Sequence, residues 1–371
     1  MVENIQKKKN VPLSASRIST LLKCSWQYYC NYVLKLPDTS NSGSVMGSAV
    51  HNVYEFLGNP RHKHLYNQLK EGQTMASCPP VERYILSYVR KQGYDPDSFT
   101  VSAHKEDITL RDLLCRMLIE GINYDFFGGV IQEPTEGHSE ISFDIDKQEG
   151  EVDYRMRGFI DKLFLFKKET TAVIRDFKSS KRMFEGKEAD DNIQDLMYKL
   201  AVKNLYPDYI KRKMEFVFLQ FDCETRESTG VLQTASTCDD ELYGLELFLT
   251  EIQKVVNNFD ERAGKSNFAF DKGYLDNYEG FGGRVMCGRG DYPTHLKKDG
   301  NLMWKCGNKL AHLYYVLLNE EGGIIKSEMK RKDLPKAKKG QKIEKRAYLG
   351  CSKFDFLPYN KEFAEKHKDL S

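Results

Sequence analysis

Two carboxylates and a lysine stand near the middle of the chain in a pattern that could do chemistry. Asp161 closes the run Gly158-Phe159-Ile160-Asp161, and Asp176 and Lys178 lie in Ile174-Arg175-Asp176-Phe177-Lys178. Carboxylates hold a hard divalent cation through oxygen, and an adjacent lysine supplies positive charge or a proton path. Metal-assisted hydrolysis of a phosphodiester needs those parts. Asp-x-Lys alone is a weak signal, because acids and lysines are common on the exposed face of an ordinary hairpin.

Geometry is what would turn these residues into a site. Successive strand residues point to opposite faces, so Asp176 and Lys178 share one face while Phe177 takes the other. Residues 155–166 and 172–179 read as an antiparallel hairpin around the polar link Lys167-Lys168-Glu169-Thr170-Thr171. A turn centred near Glu169 and Thr170 sets Asp161 opposite Lys178, and residues directly opposite share a face. Moving the pairing sum by two sets Asp161 opposite Asp176 or Ser180 and keeps the arrangement, whereas a slip of one destroys it.

Two flanking segments add to the set. Downstream, residues 190–200 read as a helix capped by Asp190 or Asp191, with Ile193, Leu196, Met197 and Leu200 inward. Gln194 and Tyr198 are four apart and therefore lie one turn above each other. Upstream, residues 45–57 also read as a helix, in which His51 follows Gly47 by four and small residues permit close packing. Taken singly, a tyrosine on a half-buried helix or an isolated histidine is ordinary packing. The ordered set spans about 150 residues: Gly47-x-x-x-His51, Asp161, Asp176-x-Lys178 and Gln194-x-x-x-Tyr198.

That ordered set resembles the PD-(D/E)XK nuclease superfamily, in particular its RecB-like exonuclease branch, including phage and CRISPR-adaptation-type relatives. The resemblance implies an α/β fold with a restriction-endonuclease-like core, in which helices flank a central mixed sheet. It implies catalytic roles for Asp161, Asp176, Lys178, Gln194 and Tyr198. The metal, Mg²⁺ or Mn²⁺, would be held by His51, Asp161, Asp176 and the backbone carbonyl of Phe177. Gln194 and Tyr198 would contact the nucleic-acid strand and support the lysine. The implied activity is metal-dependent cleavage of DNA, as an exonuclease acting at ends in recombination, repair or phage replication. Two alternatives stay open: a catalytically silent nuclease-fold subunit that binds DNA, and a structure-specific endonuclease or RNase. There is no Gly-x-x-x-x-Gly-Lys-Ser/Thr phosphate loop, so ATP-driven unwinding would need a separate helicase or other replication partner.

Composition agrees without pointing to this chemistry. The 371 residues, 40 % hydrophobic and 12 % aromatic, suffice to bury a core in one large or two modest domains. No stretch approaches the roughly 20 apolar residues of a membrane span, and the lysine-rich start lacks the apolar segment of a secretory signal. The expectation is a cytoplasmic protein of a bacterial or phage-infected cell. A formal charge of +2 says little, so the distribution of charge carries the information. Ten lysines and arginines crowd into residues 326–346 beside three acids, with Pro335 and Gly340 interrupting any helix. This reads as a basic loop in which Lys336, Lys338, Lys339 and Lys342 would bind nucleic-acid phosphates. A solvated, lysine-rich loop explains it equally well.

The organisation expected is residues 1–60 as N-terminal helices of the core, 61–130 as a helical insert, 131–265 as the catalytic core and 266–371 as an irregular, basic region. One helix is expected from Ser14 or Ser16 to Leu34. Strands are expected at 139–145, 152–166, 172–179 and 214–221, with Glu140 placing a further acid near the metal, and a capped helix at 239–259.

The nine cysteines lack paired spacing, which suits free thiols in a reducing compartment. Some RecB-like nucleases hold an iron–sulfur cluster through one cysteine before the core and three closely spaced ones after it. Cys24 suits the first position, but Cys287, Cys306 and Cys351 are far apart. Separately buried thiols are therefore the expectation. A cluster or zinc on Cys24, Cys287, Cys306 and Cys351 is the alternative.

Overall fold

The computed structural model describes the chain apart from residues 1–9, 38–41, 104–105, 130–131, 187–191, 224, 226, 273–285, 297–301, 304–305 and 371. The chain divides into two compact units, Met1–Ala15 with Ser40–Gln253, and Ser16–Thr39 with Lys254–Ser371. The expected N-terminal segment is therefore split, and residues from both ends of the chain build the second unit.

Helix α1 spans Ala15–Lys23, and Cys24 interrupts it with an extended backbone before a one-turn helix at Ser25–Tyr28 and a π turn at Tyr29–Val33. The single helix expected there is thus broken at Cys24. Helix α2, Ser42–Gly58, buries Val45, Met46, Ala49, Val50, Val53, Tyr54 and Leu57, the stripe dictated by its i, i+3, i+4 spacing. Helices α3 (Lys63–Gly72), α4 (Pro79–Lys91) and α5 (Leu110–Asn123) follow. The short hairpin of β1 (Thr100–Ala103) and β2 (Glu106–Thr109), unforeseen from periodicity, separates α4 from α5.

The central sheet has five strands: β3 (Glu136–Glu149), β4 (Val152–Phe166), β5 (Thr171–Lys178), β6 (Lys211–Phe218) and β7 (Val231–Gln233), hydrogen-bonded in that order. It is mixed, because β5 and β6 are parallel while the other pairs are antiparallel. A parallel pair requires a crossover, supplied by helix α6, Ile193–Leu205. That connection carries Gln194 and Tyr198 back to the C-terminal end of β5. The β3–β4 hairpin turns through Gly150 at φ +58°, the left-handed conformation a two-residue connection favours. Helix α7, Asp239–Asn257, braces this hairpin: Tyr154 Oη donates to Glu246 Oε1 at 2.9 Å, and Gln253 Oε1 accepts from the Arg155 amide at 3.0 Å.

Beneath the sheet two charged side chains are buried, Arg175 in an ion pair and Lys162 against uncharged partners. Arg175, 1 % exposed, reaches Glu215 Oε2 at 3.0 Å and donates to the carbonyls of Tyr124 and Asp125 at 3.2 and 2.8 Å. Lys162 lies 3.6 Å from the Phe126 ring centroid and donates to Ser139 Oγ at 2.8 Å. Removing Glu215 would strand the buried Arg175 charge, which costs about 3–5 kcal/mol. These contacts tie β4 and β5 to their neighbours just below Asp161 and Asp176.

The second unit contains β8 (His312–Leu318), β9 (Ile324–Glu328) and β10 (Lys342–Tyr348) in the order β10-β8-β9, followed by helix α8, Pro358–Lys366. Part of the region expected to be irregular is therefore a regular sheet. Its core includes Trp26, Cys30, Tyr314, Val316 and Tyr348. Among the described residues, no helix is long and apolar enough to cross a membrane.

Candidate active site and a cysteine-lined cavity

The β4–β5 register places the acids. Lys162 pairs with Arg175 and Leu163 with Ile174, so one step further Asp161 stands opposite Asp176. This is the two-residue shift from the pairing with Lys178, and it preserves the shared face. On the other side of β4, Ser139 pairs with Lys162 and Ile141 with Ile160, which puts Glu140 opposite Asp161. Glu140, Asp161 and Asp176 therefore run across three adjacent strands. Glu140 is the one residue of that stretch left out of the ladder, and its φ is +51°.

Alternation along β5 divides its residues as the sequence requires. The Phe177 ring packs 4.5 Å from the Tyr54 ring, in the core under α2, while its main chain stays at the site. The Phe177 amide donates to Asp161 Oδ2 at 2.8 Å, and its carbonyl accepts from His51 Nε2 at 2.8 Å. His51 Nδ1 lies 3.4 Å from Asp161 Oδ2. Gly47 brings α2 within reach, since a Cβ there would sit 2.7 Å from Ser179 Oγ. The glycine sits one turn before the histidine, where α2 packs against Ser179 just past the end of β5.

Gln194 organises the other flank. Lys178 Nζ donates to Gln194 Oε1 at 2.6 Å, and Gln194 Nε2 donates to Asp176 Oδ1 at 2.6 Å and to Tyr198 Oη at 2.9 Å. Lys178 Nζ also lies 2.7 Å from Asp176 Oδ2. The helix cap is Asn192, which accepts from the amides of Gln194 and Asp195. The expected caps Asp190 and Asp191 lie outside the described residues. All six side-chain and main-chain groups expected from the sequence, His51, Asp161, Asp176, Phe177, Lys178 and Gln194, meet here, and Tyr198 joins them through Gln194.

The electrostatics show crowding of negative charge. Burial raises the Asp176 carboxyl above its usual range, with Asp161 adding to it and Lys178 and His51 opposing. Burial, then Asp161 and Glu55, push Glu140 up to about 7. For His51 burial works against the charged form, but Asp161, Asp176 and the Phe177 carbonyl outweigh it and raise the imidazole to about 9. Glu55 was not picked out from the sequence, although it follows His51 by four and so shares its helical stripe.

Oxygen donors from Asp161, Asp176, Glu140 and the Phe177 carbonyl, with one imidazole, form a donor set suited to Mg²⁺ or Mn²⁺. A divalent cation would offset the burial, and the added repulsion, that raise the carboxyls. The groups are closed on one another: among the described residues no three His, Cys, Asp or Glu side chains converge on one ion position. To serve as a ligand His51 would have to be neutral, with an unprotonated ring nitrogen toward the metal.

Residues 12–272 match the profile of the PD-(D/E)XK nuclease superfamily, more than half of the chain. The chain belongs to that superfamily. Its members are nucleases that generally depend on a divalent metal, and the five-stranded mixed sheet flanked by helices is the fold expected of one. No curated protein matches. Among solved structures, one described as "Crystal structure of SSO0001" is similar at 12 % identity, over 33 % of this chain and 52 % of that one, with a TM-score of 0.19. The chain thus spans about half the length of that structure, and so slight a likeness carries no argument.

The second unit holds another gathering of chemically active side chains. A cavity of about 240 Å³ is lined by Cys24, Cys287, Cys306 and Cys351, together with Lys309 and Phe354. The four cysteines, free thiols as expected, line one cavity. Burial pushes the Cys306 thiol up to about 12 and raises Cys351 further, with the other cysteines of the set adding to both. Four thiolates are the donor set of a zinc ion or an iron–sulfur cluster. The space exceeds that of a single ion, since one water occupies about 30 Å³ in the liquid. Among the described residues no three of these thiols converge on one ion position, so the set suits a multi-iron cluster, whose ligands stand apart, better than a single ion. Lys336, Lys338, Lys339 and Lys342 are exposed between a 3₁₀ turn at Arg331–Asp333 and the start of β10, and Lys342 pairs with Glu344 at 2.9 Å.

Proposed function

We propose that this protein is a divalent-metal-dependent deoxyribonuclease of the RecB-like kind, acting as an exonuclease at DNA ends in recombination, repair or phage replication. The observation that carries the reading is the junction of Asp161, Asp176 and Lys178 at the end of β5, locked by Gln194. His51, Asp161, Asp176, Glu140 and the Phe177 carbonyl would hold Mg²⁺ or Mn²⁺. When bound, the ion lowers the pKa of a water molecule and offsets charge on the scissile phosphate. Lys178, held beside Asp176 by Gln194, would orient the attacking water or donate to a phosphate oxygen as charge develops. Gln194 holds both groups, which makes it a positioning residue, with Tyr198 fixing its amide. The exposed lysines 336, 338, 339 and 342 would add phosphate contacts.

The cysteine cavity adds a structural cofactor to this reading. Cys24, Cys287, Cys306 and Cys351 would ligate an iron–sulfur cluster that ties the start of the chain to its C-terminal part within the second unit. Three of these cysteines lie beyond the residues that match the superfamily.

The deciding assay incubates the protein with linear and circular, single- and double-stranded DNA in Mg²⁺, Mn²⁺ or EDTA. Metal-dependent loss of linear DNA with circular DNA spared supports an end-directed exonuclease. Cutting of circles supports an endonuclease, and binding without cutting under every metal supports a silent DNA-binding subunit.

A further inference from the structure

Lys309 is buried, and among the described residues no carboxylate meets it. It is 2 % exposed, its Nζ donates to the Gly288 carbonyl at 3.0 Å, and it lies 4.5 Å from the Phe354 ring centroid. Among the described residues it forms no ion pair, and Asp291, the one carboxylate whose charge reaches it, is exposed. An ammonium group taken out of water without an opposite charge is costly by several kcal/mol. A carbonyl and an aromatic face compensate only part of that.

The main chain around Lys309 shows where the missing charge belongs. Its amide donates to the Cys306 carbonyl at 3.2 Å, its carbonyl accepts from the Cys351 amide at 3.3 Å, and its side chain ends on the residue after Cys287. Asn360 Nδ2 donates to the same Lys309 carbonyl at 3.3 Å, and Asn360 Oδ1 accepts from the Ala311 amide at 2.9 Å. One residue lining the cavity is thus tied to the neighbourhoods of three of its four cysteines.

We propose that Lys309 is the internal counter-cation of a thiolate-ligated metal centre in this cavity, and that it holds the centre's reduction potential up. The inference rests on the reading that the four cysteines bind a cluster. Loading deprotonates the thiols, so the occupied cavity carries net negative charge. The ammonium that lacks a partner in the thiol form then acquires one. Adding an electron to the centre makes it more negative still, and a fixed positive charge among the residues lining the cavity favours that reduced state. Charge near a cluster is one of the protein's means of setting its potential.

The test uses the full-length protein purified without oxygen. Iron, acid-labile sulfide and zinc are measured in the wild type, Cys306→Ser, Lys309→Met and Lys309→Arg, and the potential is read by titration of visible absorbance and EPR. The expected result is iron and sulfide in the wild type and their loss in Cys306→Ser. Lys309→Met should keep the metal and move the potential to more negative values, with Lys309→Arg close to wild type. Stability supplies a second readout. In the metal-free Cys306→Ser background, Lys309→Met should raise the unfolding temperature, because an uncompensated charge is removed. In the loaded protein it should lower it.

A wild type with neither iron nor zinc overturns the cluster reading itself. A loaded Lys309→Met with unchanged potential overturns the role of Lys309 and leaves the cluster standing. If zinc alone is present, competition by a chelator replaces the potential: faster loss from Lys309→Met supports the counter-cation, and equal loss overturns it. Should Lys309→Met fail to fold when loaded, destabilisation of the metal-free background by the same change would overturn the proposal, and stabilisation would support it.

Discussion

Asp161 on β4 and Asp176 on β5 lie one step beyond the last paired residues of the two strands, Lys162 and Arg175, so two carboxylates that repel one another are held on neighbouring strands. The Phe177 amide and Lys178 each take one of them, at 2.8 and 2.7 Å. Folding has to hold this pair together against its own charge, and it does so with hydrogen bonds that a metal-loaded site would partly redistribute.

Gln194 should be a positioning residue. Its amide spans Lys178 and Asp176, so Gln194→Ala leaves both free to take other rotamers. Steady-state kinetics should show kcat lower by about 10–100-fold, the usual effect of losing a group that orients a site, with KM for DNA little changed. Tyr198→Phe removes only the acceptor of Gln194 Nε2 and should cost less. A large rise in KM with kcat preserved would instead make Gln194 a strand-binding residue.

His51→Ala should weaken metal binding more than DNA binding. Activity at limiting Mn²⁺ should fall by at least about tenfold, and raising Mn²⁺ should restore part of it by mass action. DNA affinity measured in EDTA should match the wild type. A metal titration that overlays the wild-type curve would remove His51 from the ligand set.

Replacing Lys336, Lys338, Lys339 and Lys342 with Gln should weaken DNA binding while the rate at saturating DNA stays near wild type. Each lost phosphate contact should flatten the slope of log K against log salt by about 0.9 on duplex DNA or about 0.7 on a single strand. An unchanged slope would leave these side chains as solvated charge. A fall in the saturated rate would give them a part in assembling the site.

The sequence carried the site further than it carried the architecture. Alternation in Asp176-Phe177-Lys178 and the i, i+4 spacing of Gln194 and Tyr198 are local, so period alone predicts their geometry, and the structure bears it out. Register is not local. The pairing of Asp161 depends on a turn with Thr170 at φ +47°, and the polar link alone did not fix it to better than two residues. Helix α1 ends at Cys24 because its backbone there is extended, which apolar spacing does not reveal. The β8–β10 sheet was hidden for a related reason: its strands are short, and basic residues between β9 and β10 dominate the composition there. The convergence of Cys24 with Cys287, Cys306 and Cys351 was the least legible feature, since it joins positions more than 260 residues apart in sequence.

The most direct measurement compares wild type with Asp176→Asn on linear DNA in Mg²⁺ and in Mn²⁺, with EDTA controls and thermal unfolding of both proteins. Asparagine keeps the size and an acceptor for Gln194 but removes the charge that would hold the ion. Because burial already disfavours that charge, unfolding temperature should change little or rise. Cleavage by the wild type should require metal, and the variant should lose it by about 100-fold or more. A well-folded Asp176→Asn protein that cuts as fast as wild type would contradict the assignment of this site.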